Sequence, residues 1–244
     1  ERDGQEEETD GREEAIPVLD AHLDSLADDE RRGVELCLAT WERDLDRPEV
    51  ALARLKALYE RDPGEEVLGH WLSLLDEQER SEDMVQVLRE AAAQESNPAT
   101  AAQLISRAAT VCETLEDLTR AAQLLQDHLK RFPEQDELRD RAAELLEQSE
   151  RWEDLAEVLR QAVQRKEESE RVQLRLRLVE VQKDRLNDRE GAEMTLRQGL
   201  SERAREPALL EGLGELLEAD ERYSELFDVL LARVDGVRSV GLRQ

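Results

Sequence analysis

The side chains of this sequence best placed to engage another molecule are carboxylates. Glu137, Asp140, Glu144 and Glu147 are spaced 3, 4 and 3 residues apart, which puts them on one face of a helix. That face is distinct from the apolar set Leu138, Ala142, Leu145 and Leu146. The pattern returns at Glu211, Glu215 and Glu218, and in part at Glu66, Ser73 and Asp76. Between two of the acidic rows, Arg175, Arg177 and Lys183 supply basic charge. A row of carboxylates suits electrostatic recognition of a cationic segment. Acid–base catalysis instead needs two carboxyls held in unlike environments, and carboxylates this abundant single out no such pair.

Other chemistry is poorly provided for. The sequence has no G-x-S-x-G elbow, no glycine-rich phosphate loop and no H-E-x-x-H. His22, His70 and His128 lie far apart, with no partner at metal-ligand spacing, and read as ordinary helix residues. Cys37 and Cys112 fall on apolar faces of separate helices and read as small buried residues, not as a disulfide framework. Trp71 shares a register with Ala142 and Leu213, and Trp152 with Ser81 and Tyr223, so these rings, with Trp41, read as packing. The expectation is a chain with no catalysis of its own, no cofactor and no metal.

The formal charge of −27 argues against nucleic acid and anionic membrane surfaces, since phosphate contacts need a basic face. No apolar run approaches the ~18 residues that span a bilayer. Charged residues make up 39% and aromatics 3%, so the apolar supply is leucine, alanine and valine in short sets, suited to a thin core extended along an axis. Basic residues are 30 Arg against 4 Lys, a bias expected of a GC-rich bacterial coding sequence.

The elements that must position the carboxylates follow from internal repetition. Residues 137–163 recur at 66–92 and at 208–234, both offset by 71 residues without a gap. Leu74, Leu145 and Leu216 share one register, as do Leu88, Leu159 and Leu230. Fixed self-similarity of this kind marks a stacked array. Leu55, Leu88, Leu125, Leu159, Leu196 and Leu230 occupy equivalent places, separated by 33, 37, 34, 37 and 34 residues. The spacing predicts six helix pairs: 32–43 with 48–61, 65–78 with 82–94, 99–113 with 115–131, 135–148 with 152–165, 169–185 with 188–203, and 207–219 with 224–234. The first helix of the fifth pair matches that of the third at an offset of 70, its second helix at 71, so the fifth unit holds one extra residue. The domain reading is an acidic, mobile leader at 1–14, a solitary helix from a preceding repeat at 15–31, the array at 32–236, and the start of a further helix at 237–244. Within 15–27, Pro17 fits a first helical turn. The apolar run 226–231 in the last helix is unlike a polar cap and suggests a longer array.

Helix pairs of about 34 residues resemble tetratricopeptide repeats. Ala51, Ala121 and Ala192 match that family's small residue near the start of the second helix, and Ala91 and Ala162 the later one. Ala39, Ala109, Ala143 and Gly214 match the small residue of the first helix, and Pro63 and Pro133 the terminal proline. Met84, Leu155, Leu226 and Leu72 depart from the pattern by placing large residues at small positions. The resemblance covers about 32–234. It implies an all-α, right-handed α-solenoid whose first helices line a concave surface that binds peptides or partner helices. On that surface would lie Glu66, Ser73, Asp76, Glu137, Asp140, Glu144, Glu147, Arg175, Glu211, Glu215 and Glu218. The basic set with which some members clamp a C-terminal carboxylate is absent, which excludes a free acidic tail as ligand.

The functional expectation is a non-enzymatic scaffold whose concave face takes a protein or peptide partner, a basic or amphipathic segment above others. The alternatives are a spacer or self-assembly module stacking through its exposed ends, or an accessory repeat domain of a larger protein.

Overall fold

The computed structural model describes residues 11–241, the side chains of 169, 232 and 234–241 excepted. Among the described residues every regular element is helical. A leading helix α1 (Gly11–His22) and a 3-10 turn (Leu23–Ser25) precede six pairs. These are α2 (Asp28–Asp44) with α3 (Pro48–Arg61), α4 (Glu65–Glu77) with α5 (Ser81–Gln94), and α6 (Pro98–Thr114) with α7 (Leu118–Arg131). Then follow α8 (Asp136–Gln148) with α9 (Trp152–Arg165), α10 (Glu168–Glu180) with α11 (Arg189–Glu202), and α12 (Pro207–Ala219) with α13 (Tyr223–Gly241). The chain forms two compact units, Glu1–Ala91 and Ala92–Gln244, divided within α5.

Helix starts are chemically marked. Pro48, Pro98 and Pro207 open α3, α6 and α12, where a missing N–H costs nothing. The Asn97 side chain accepts the Ala99 amide at 2.9 Å, and Asp117 accepts that of Arg120 at 3.0 Å. The first helices end by one device. Asp46, Glu79, Glu116, Glu150, Asn187 and Glu221 all have positive φ, between 53° and 59°. They stand 33, 37, 34, 37 and 34 residues apart, each in the joint between a first and a second helix. Around Glu150, the amide of Arg151 donates to the Leu146 carbonyl at 2.8 Å and that of Glu150 to Glu147 at 3.2 Å. This crossed pair satisfies carbonyls that the helix end leaves free. The same pair closes α2, α4, α6 and α12.

The fifth joint departs by one residue. Val181–Arg185 forms a π-helical turn, the Leu186 amide reaches back five residues to Val181, and the Asp188 amide six to Gln182. The equivalent amides in the third pair, Leu115 and Asp117, reach back four and five. The extra residue of the fifth unit is thus absorbed as a widened turn, a single π-helical bulge at the end of the helix.

In the first unit, Ile16, Leu23 and Leu38 join α1 to α2. Arg54 of α3 bonds Asp20 of α1 at 2.7 Å and Glu42 of α2 at 3.0 Å, and Glu42 is 2% exposed. In the second unit, Val172, Val179, Leu196, Leu209 and Leu213 form a core shared by α10, α11 and α12, with Leu226 and Val229 of α13 packed against it. Each fully buried leucine contributes about 1.5–3 kcal/mol, which is how thin layers hold.

Several sequence-based boundaries move. The acidic stretch 1–14 is helical from Gly11 onward, its first ten residues lying outside the described ones, so Pro17 sits inside α1 and not in its first turn. Residues 28–31 belong to α2, whose first turn carries Asp28, Asp29 and Glu30 at the positive end of the helix dipole. Residues 237–241 continue α13, because no proline or left-handed turn interrupts it, and do not open a new helix.

A left-handed conformation costs an L-residue about 1–2 kcal/mol, of which glycine recovers part after its larger unfolded-state entropy. Urea unfolding should therefore find Glu150→Gly more stable by about 0.5–1 kcal/mol. Glu150→Val, β-branched in the same place, should be less stable than wild type.

Candidate interaction surface

The carboxylates named from sequence sit on the outward faces of first helices. In the first unit Glu66, Ser73 and Asp76 are exposed on α4. In the second, Glu137, Asp140, Glu144 and Glu147 are exposed on α8, and Glu211, Glu215 and Glu218 on α12. They are not an unbroken acidic row. Arg141 of α8 crosses to α6, donating to Ser106 Oγ at 2.6 Å, Thr110 Oγ1 at 2.7 Å and Glu113 Oε1 at 3.1 Å. Arg177 of α10 pairs with Glu147, and Arg233 of α13 approaches Glu211 at 3.3 Å. What remains outside such pairs on α8 is the triplet Glu137, Asp140 and Glu144.

Arg175 does not belong to this surface. It is 3% exposed, and its guanidinium turns inward to Glu202 of α11. Gly199 makes room for it: a Cβ there would stand 3.0 Å from Arg175 Cδ and 2.7 Å from Leu209 Cδ1. The Arg175 hydrogen bond holds the Glu202 carboxyl below its ordinary pKa against the opposing effect of burial. Sequence periodicity held the signal, since Arg175 lies 70 residues after the buried Ile105. Arg139, equally buried, lies 71 after Leu68 and 71 before Leu210, both buried. Its guanidinium bonds Asp136 and the Pro133 carbonyl, while Nε has no partner.

Concavities open between consecutive second helices. One of about 290 Å³ lies between α3 and α5 over Trp71 and Leu75. One of about 590 Å³ lies between α7 and α9 over Arg139, and one of about 270 Å³ between α9 and α11 over Arg175 and Gln182. The π turn carries Gln182 inward, where its Oε1 accepts Thr195 Oγ1 at 2.9 Å. None of these carries a nucleophile beside a base. Among the described residues no group of His, Cys, Asp and Glu is placed to hold a metal ion. Cys37 is exposed, not buried as its apolar neighbours imply, and Cys112 is buried. Trp152 lies beneath the Arg185 guanidinium at 4.7 Å, and Trp71 against Tyr59 at 5.8 Å.

No family model and no curated protein matches the chain. Solved structures do. One is a tetratricopeptide repeat protein from Parabacteroides merdae, 16% identical, covering 81% of this chain and 77% of that one, with a TM-score of 0.36. Another is the TPR2AB domain of yeast Sti1 in complex with pHSP90, 12% identical over 87% of this chain and 93% of that one, TM-score 0.34. A third is Naa15/Naa10 bound to HypK-THB, 12% identical over 85% of this chain and 39% of that one, TM-score 0.42. Tetratricopeptide-repeat proteins are thus among the structures this chain is similar to. At such scores the likeness bears on neither partner nor activity, and the helix-pair architecture rests on the joints and cores described above.

His128 is structural. It is 8% exposed, its ring tilted at 45° against Phe132 with centroids 5.1 Å apart, and Nε2 is 2.9 Å from Gln135 Oε1. Burial lowers its pKa, the Gln135 hydrogen bond opposes this, and the Arg131 charge adds to it. The folded form therefore binds that proton less readily than the unfolded chain, and stability must fall as pH drops below roughly 6.5. Thermal unfolding should show this loss between pH 7.5 and 5.5, before carboxylates titrate, and His128→Leu should abolish it.

Proposed function

We propose that this chain is a protein-interaction scaffold whose first-helix face in the second unit takes a basic or amphipathic segment. One observation carries the reading. Glu137, Asp140 and Glu144 are exposed on a single face of α8, and among the described residues none of them has a cation within ion-pair distance, the Lys166 charge acting on Asp140 from farther off. Nearby carboxylates of like charge destabilise one another, by a few tenths of a kcal/mol per pair on a helix surface. A cationic ligand relieves that repulsion while gaining its own attraction, so binding is favoured on both counts. Arg141, set between Asp140 and Glu144, and Arg177, beyond the triplet at Glu147, tie α8 to α6 and α10, which keeps the face preorganised. The overall negative charge adds long-range steering of a basic partner.

Calorimetric titration with a lysine- and arginine-rich helical peptide, against a glutamate-rich peptide of equal length, tests this. The basic peptide should bind, and its affinity should fall about tenfold or more between ~50 and ~500 mM salt. Changing Glu137, Asp140 and Glu144 together to Gln should remove most of the difference between the peptides. Binding that ignores salt, or a preference for the acidic peptide, would contradict the reading.

A further inference from the structure

Arg139 breaks the register of the helix that carries it. Leu68, Arg139 and Leu210 stand at equivalent places and are all buried, at 6%, 3% and 4% exposure. A guanidinium thus sits where its two counterparts bury an aliphatic chain. Its two terminal nitrogens are used close by, on Asp136 and on the Pro133 carbonyl. Its Nε–H is not used, and among the described residues no other buried side-chain donor or acceptor is left without a partner. A buried donor is normally met by protein, by water or by a ligand. Arg139 forms part of the wall of the cavity of about 590 Å³ between α7 and α9. The register also puts Ala142 where Trp71 and Leu213 stand, and the cavity over Trp71 is only about 290 Å³. The larger volume is that of pockets that hold small molecules, ~300–1,000 Å³.

The other walls say what kind of group meets that donor. Leu129 of α7 and Val158 of α9, both buried, give the cavity apolar sides. Gln123 of α7 and Gln161 of α9 line it as well. Each donates its NH2 to a carboxylate on its own helix, Asp127 at 3.0 Å and Glu157 at 2.9 Å, which leaves the amide oxygen to accept. The charges around the cavity cancel in pairs: Asp154 with Arg151 at 2.7 Å, Glu157 with Arg160, and Asp136 with Arg139. A carboxylate ligand would face Asp154 and Glu157 and bring no proton for the amide oxygens. An ammonium or guanidinium group would face Arg139 and bring no acceptor. A primary carboxamide brings an acceptor oxygen and two N–H donors in one neutral, planar group.

We propose that the cavity between α7 and α9 is a binding site for a primary carboxamide on an aliphatic stem. The carboxamide oxygen accepts from Arg139 Nε, and its NH2 donates to the Gln123 and Gln161 oxygens. The stem lies between Leu129 and Val158. A glutamine side chain in an extended peptide and a free small amide both carry this group. The site uses none of the carboxylates of the α8 triplet and does not rest on the scaffold reading.

Proton–nitrogen correlation spectra of the full chain test this, because the Arg139 Nε–H gives a signal of its own, recognised by its loss in Arg139→Leu. The probe is an alanine peptide, blocked at both ends, with glutamine at its centre. It should shift that signal saturably. The same peptide with glutamate or methionine at the centre should bind at least about tenfold more weakly. Arg139→Leu restores the residue type of Leu68 and Leu210, so circular dichroism should show the fold intact, while the peptide's effect on the backbone amides of α7 and α9 should be lost. Gln161→Leu, at an exposed position, keeps the Arg139 signal and should weaken binding at least about threefold. A single blocked glutamine residue separates the two sources. A peptide at least about tenfold tighter than it supports the site as one for a protein segment, and equal affinity supports it as one for a small amide. An Arg139 signal that does not move at millimolar peptide means that water alone meets the donor, and overturns the proposal. Equal binding of the glutamate or methionine peptide, or binding unchanged in Arg139→Leu, overturns it as well.

Discussion

One left-handed residue closes each helix pair, and the placement of every other group depends on it. A single residue with φ near 55° reverses the chain within three positions. Its own amide and that of the next residue meanwhile satisfy carbonyls that the first helix leaves free. Because the reversal is short, the second helix must run back along the first, and their leucine and alanine stripes must meet. Neither helix buries its stripe alone. The same stripe then meets the next first helix, as α9 meets α8 and α10. The outward faces of first helices are left over by this geometry, which is why charged residues collect there. That glutamate, aspartate or asparagine takes the strained place at all six joints, with no glycine, means some stability is forgone at each.

Polar groups inside the layers follow a second rule. Glu42 with Arg54, Arg175 with Glu202, and His128 with Gln135 are each paired across elements. A buried ion pair adds little net stability, but losing one partner leaves a charge stranded at a cost of about 3–5 kcal/mol. Such pairs therefore select a register more than they strengthen it. Arg54 accepts α1 and α2 in one alignment, and Arg175 fits only against a helix with glycine at 199. The π turn belongs with these. Its extra residue brings Gln182 into a position that the third pair gives to Cys112, and Thr195 supplies the hydrogen bond an amide needs there.

Much of this was legible in the letters. The 71-residue register named the helix pairs and most buried leucines, because core positions recur with a fixed residue type. The one-residue discrepancy in the fifth unit was legible as an insertion, though not as a π turn, since periodicity counts residues without saying which hydrogen bonds absorb them. Arg175 was misread because residue type was allowed to outweigh register: a long side chain can be buried when its aliphatic stem packs and its head finds a carboxylate. Cys37 failed in the opposite direction, as small apolar residues at the edge of a stripe need not be covered. The acidic faces were legible as faces, whereas the arginines that divide them were not. Arg141 and Arg177 reach neighbouring helices about 30 residues away, and pairing at that range has no signature in local spacing.

Hydrogen exchange followed by mass spectrometry tests the joints most directly. The amides of Arg47, Arg80, Asp117, Arg151 and Arg222 donate five residues back into the preceding helix, and that of Asp188 six. If the left-handed closure organises each pair, these amides exchange as slowly as those of the adjoining helices, although they lie in apparent loops. Exchange at the rate of an unstructured chain would show that the first helices do not end in this way, and the pairing built on them would fall.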